Sequence, residues 1–131
     1  MGQPAAKKGD QVVATDTHII MIPSPGGPVP TPLPNPFVGQ LDGSLASDVD
    51  IEGKPAAVQG STASNGPSHI PAGGPFQMTP ADKGTIQLGS ATVLIGGKPA
   101  ARNGDIALTC NDPSDLPVGQ VVAVSTVLIG G

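Results

Sequence analysis

The side chains best suited to chemistry in this chain are few and regularly placed. His18 and His69 are its two histidines and Cys110 its single cysteine. His18 follows Gly9 by nine residues, His69 follows Gly60 by nine, and Cys110 follows Gly104 by six. Each comes just after a Gly-Asp or Gly-Ser step: Gly9-Asp10, Gly60-Ser61 and Gly104-Asp105. Two imidazoles and a thiolate form a borderline-soft donor set that suits zinc, or ferrous iron in a reducing compartment. Asp16, Asn111, Asp112 or a water could complete the set, and the spacing does not choose among them. An open fourth position is also what a small zinc hydrolase has. Glu52, however, is the one glutamate and lies near neither histidine. No nucleophile elbow, phosphate loop or dinucleotide fingerprint occurs. The expectation is a metal-binding protein that is not an enzyme.

An internal repeat would bring such distant residues together. Gly2 to Asp10 reads GQPAAKKGD, Gly53 to Ser61 reads GKPAAVQGS, and Gly97 to Asp105 reads GKPAARNGD. The second and third copies follow short apolar segments, Val49 to Gly53 and Val93 to Gly97. The segment that should precede the first copy stands at the other end of the chain, as Val127 to Gly131. Repeats of this kind bury their apolar faces only against one another. The three units are therefore expected to close into a ring cut within one unit, with Gly2 and Gly131 about 5–10 Å apart.

Each unit reads as β-structure with tight turns. The helical signal is confined to Thr79 to Lys83, where an N-cap residue precedes Pro80, enough for about one turn. From Pro23 to Pro36, alternate prolines predict an extended polyproline-like arm, either a spacer over a sheet edge or a docking arm.

Composition narrows the function. The 131 residues predict a single domain, 1–131, with 35 Gly and Pro, no Trp or Tyr, and Phe37 and Phe76 as the aromatic residues. So thin a core calls for another staple. One cysteine excludes an internal disulfide. A net charge of −4 argues against nucleic acid and anionic membranes as partners, and no apolar run reaches the ~20 residues of a membrane helix. The expectation is a soluble cytoplasmic monomer, exported only if a dedicated machine carries it.

The phrase GKPAARNGD, the repeated TVLIGG, and the His, His and Cys that follow Gly-Asp turns resemble those of PAAR-repeat proteins. The Pro-Ala-Ala-Arg tetrapeptide stands intact once, at Pro99 to Arg102. The resemblance implies an all-β, cone-shaped domain of three pseudo-equivalent repeats. It would cap the trimeric VgrG-like spike of a type VI secretion or related contractile injection machine, one copy per trimer, and help pierce a target envelope. It also implies zinc near the apex, held here by His18, His69 and Cys110. The usual set is three His and one Cys, so two histidines leave the coordination number open. No fused effector domain is expected, and any effector would be a separate protein. The alternative reading is a carbohydrate- or matrix-binding β module, for which the usual Trp and Tyr sugar platforms are absent.

Overall fold

The repeated phrase folds the same way each time. The computed structural model describes residues 2–130 and contains strands but no helix among them. The first unit supplies β1 (Gln3–Pro4), β2 (Gln11–Ile22) and β3 (Val29–Gly43). The second supplies β4 (Asp50–Ile51), β5 (Lys54–Pro55), β6 (Thr62–Asn65) and β7 (Lys83–Ile86). The third supplies β8 (Leu94–Ile95), β9 (Lys98–Pro99), β10 (Ile106–Thr109) and β11 (Leu116–Val122), and β12 (Leu128–Ile129) ends the series.

Three short antiparallel hairpins carry the prolines. β4 pairs with β5 and β8 with β9, placing Asp50 opposite Pro55 and Leu94 opposite Pro99. Glu52 and Gly53 join one pair at φ 52 and 81, Gly96 and Gly97 the other at φ 59 and 82. Positive φ at both central residues is the type I′ turn that matches the twist of a tight hairpin. The third hairpin is β12 with β1, closed across the chain ends, with Ile129 opposite Gln3 and Leu128 opposite Pro4. Gly131 lies outside the described residues, so the expected Gly2 to Gly131 separation does too. The residues just inside it are in register.

The Ala-Ala pairs meet at the centre of the ring. Ala6 N–H donates to Ala101 O, Ala101 N–H to Ala57 O, and Ala57 N–H to Ala6 O, each at 3.0 Å. A second ring runs from Lys8 to Pro55 O, Gln59 to Pro99 O and Asn103 to Pro4 O, at 2.8–2.9 Å. Ala5, Ala6, Ala56, Ala57, Ala100 and Ala101 are all buried. Three backbones approach this closely only where no side chain exceeds a methyl group. Proline suits its position because its carbonyl makes the inter-unit bond while the alanine after it donates within the hairpin (Ala5, Ala56 and Ala100, to Val127, Val49 and Val93).

Past each Gly-Asp or Gly-Ser turn, two strands per unit form a closed six-stranded barrel in the order β10-β11-β2-β3-β6-β7. Val12, Ala63 and Ala107 face inward from the first strands, and Leu41, Ile86 and Val121 from the second. Phe37 breaks the threefold pattern as the one large plug. Its ring lies against Gly39 and Gly84, where an added Cβ would stand 2.8 and 3.3 Å from ring atoms.

Two local expectations meet a different outcome. Thr79 to Lys83 forms no helical turn. Asp82 adopts φ 55, and its carboxylate accepts His69 N–H at 2.9 Å and Asn65 Nδ2 at 3.2 Å, tying the segment to another loop instead of to itself. The proline-rich stretch is paired: Val29 to Pro36 runs antiparallel to β2, with Pro30, Pro32 and Pro34 opposite Met21, Ile19 and Thr17. In an antiparallel pair only alternate residues turn their N–H toward a given neighbour. Thr31, Leu33 and Asn35 can serve β2 while the prolines place their missing donors on the outer edge.

Candidate metal centre

β2 and β3 extend well beyond the barrel, and the upper half of β2 is where the three units' loops converge. Asp16 and His18 lie two residues apart, hence on one face of the strand. The loop after β10 is pinned to that strand: Asn111 Oδ1 accepts Thr17 N–H at 2.6 Å, and Asp112 Oδ2 accepts Ile19 N–H at 2.8 Å. The long loop between β6 and β7 docks nearby through Gln77 N–H to Ile19 O and Met21 N–H to Pro75 O, both 2.8 Å.

These attachments bring His18, His69 and Cys110 together with Asp16. One donor atom from each of the four residues lies within 4.8 Å of the others. The His18 and His69 rings are 4.9 Å apart between centroids. Asp16 is fully buried and His18 is 1% exposed. His69 Nε2 is 3.0 Å from Asp16 Oδ2, and Cys110 Sγ donates to the same oxygen at 3.5 Å. Asp16 Oδ1 accepts from Thr109 Oγ1 and, at 3.4 Å, from Asn111 Nδ2.

His18 stands out because neither ring nitrogen has a hydrogen-bond partner, although both are buried. Asp112 Oδ1 lies 3.5 Å from its Nδ1. Buried polar atoms are nearly always satisfied, so an orphaned imidazole among a thiol, a second imidazole and a carboxylate fits a cation. Burial, reinforced by the Asp16 charge, pushes the Cys110 thiol up to about 11, and a cation would supply the charge that stabilises its thiolate. A cleft of about 130 Å³ bordered by Met78, Pro80, Asp112 and Asp115 reaches His18 and Cys110.

With the ring and the side-chain cluster in place, the family comparison falls on the C-terminal part of the chain, from the loop before β7 onward. The chain carries a PAAR motif, matched over residues 77–131. The match spans the intact Pro99–Arg102 tetrapeptide, Cys110 and the closing strand β12. No curated protein matches the chain. His18 and His69 lie outside the matched span. The pseudo-threefold repeat, not the motif match, carries them to Cys110. Asp16 was one of four open choices from spacing; Thr109, Asn65 and Asp82 gave no signal, because their roles depend on loops that meet only in the fold.

Proposed function

We propose that this protein caps the trimeric, VgrG-like spike of a type VI secretion or related contractile injection machine. One copy would sit on each trimer, as a metal-stabilised point that helps pierce a target envelope. The observation that carries this reading is the cyclic set of bonds linking Ala6, Ala101 and Ala57, because it gives a single chain three near-equivalent faces for three identical subunits. The PAAR motif supports it independently. Leu94 and Leu128 are 62% and 63% exposed on the short hairpins, which offers apolar contact and strand edges for a partner.

The metal would be zinc, with ferrous iron the second choice, held by His18, His69 and Cys110. It would join loops from all three units where the large apolar side chains give out. Before loading, the protein would stay in the cytoplasm as a monomer, leaving with the spike and carrying separate effectors non-covalently. The test is to mix the purified chain with a trimeric spike protein and weigh the complex by light scattering during size-exclusion chromatography. One chain per trimer, with affinity changing little between low and high salt, is expected. Three chains per trimer, or no complex, would overturn the proposal.

A further inference from the structure

The four residues at the centre are not alike in what holds them, and the difference identifies a ligand. Asp16 is a carboxylate with no exposure to solvent. Among the described residues its ion-pair partner is His69, and no lysine or arginine reaches it. A buried carboxylate whose ionic partner is a single imidazole gains strongly from a cation beside it. Its two oxygens do different things. Oδ1 is engaged by the Thr109 hydroxyl and the Asn111 amide. Oδ2 has no such anchor and is directed at His69 Nε2 and Cys110 Sγ, the donors that would hold an ion. An oxygen fixed by outer hydrogen bonds with its twin facing the donors is how a ligating carboxylate is positioned.

From this arrangement we infer that Asp16 is the fourth ligand, through Oδ2, so that this chain binds a divalent borderline cation with a two-histidine, one-cysteine, one-aspartate set. Thr109 and Asn111 are positioning residues for it. With thiolate and carboxylate both ionised, the set carries two negative charges and neutralises one divalent cation. The mixture of nitrogen, sulfur and oxygen favours zinc or ferrous iron over magnesium, calcium or cuprous ions. The inference rests on the metal reading above and replaces the open fourth position with an occupied one. A closed set is the mark of a structural ion, because no site is left for a reactive water.

Cobalt(II) is the probe, because its absorption reports both thiolate ligation and coordination number. Wild-type protein should bind one Co²⁺ with a thiolate charge-transfer band and intense tetrahedral bands. Asp16→Ala should keep the thiolate band, lose tetrahedral intensity as water enters, and bind at least about 10-fold more weakly. Unchanged affinity and bands in a folded Asp16→Ala protein would overturn the assignment while leaving the metal site standing. Failure of the wild type to bind Co²⁺ or Zn²⁺ would remove both. If the variant does not fold, carboxyl-¹³C-labelled wild-type protein decides: the Asp16 carboxyl resonance should move on addition of one equivalent of Zn²⁺, and a stationary resonance would reject ligation.

Discussion

At the residue scale, the protein is governed by what fits where backbones crowd. Ala101 contributes both a donor and an acceptor to the central ring and is fully buried. Ala101→Leu should cost roughly 1–3 kcal/mol by forcing the three strands apart, read as a fall in urea midpoint. An unchanged midpoint would mean that the ring is looser than its hydrogen bonds indicate. The position after each Ala-Ala pair shows a matched exchange. Lys7 and Arg102 donate their N–H groups to, and ion-pair with, Asp10 and Asp105. Val58, with no charge to pair, donates its N–H to the Ser61 hydroxyl instead. Cys110 yields a pH prediction for the metal-free protein. The unfolded thiol ionises near 9.0, the folded one near 11. The unfolded state therefore loses its proton first, and stability should fall as pH rises from about 9 to 11. Thermal melts of chelator-treated protein check this, and Cys110→Ser should flatten the dependence.

At the element scale, the long β2–β3 hairpin both delivers His18 and exposes an edge. Pro30, Pro32, Pro34 and Pro36 are exposed, and their outer edge offers carbonyls without N–H donors. Replacing all four with Val would restore the donors on a flat apolar edge, a template for intermolecular pairing. Light scattering at 37 °C should then show aggregation that the native sequence does not. A variant that stays monomeric would show that the prolines serve another purpose. The same element shows where sequence reasoning stops. Alternate prolines forbid a central strand, and this is readable from one line of sequence. That they form an edge strand depends on β2 being free to pair on that side, which no local pattern reveals. Thr79 to Lys83 is the converse case: its capping signal is real, but Asp82 does more as a clamp for His69 and Asn65 than as part of one isolated turn.

At the scale of the whole molecule, the ring has no privileged start. Gly96 and Gly97 occupy the turn equivalent to the one the chain ends interrupt, at φ 59 and 82, with open space around both. Joining the ends and reopening between them should leave a folded protein with a native circular-dichroism spectrum, because β8 and β9 would then pair across a cut as β12 and β1 already do. Loss of the folded state would show that this hairpin must be covalently closed. The sequence alone determined the three units, their all-β character, the ring, and His18, His69 and Cys110 as candidates, because turns, alternation and repeat offsets are local and periodic signals. Tertiary structure alone decided that Asp16 stands among those donors, that Phe37 plugs the barrel against Gly39 and Gly84, and that the prolines line an edge. Each of those outcomes depends on which loop of one unit reaches which strand of another, and the loops differ in length and sequence where the repeat does not extend.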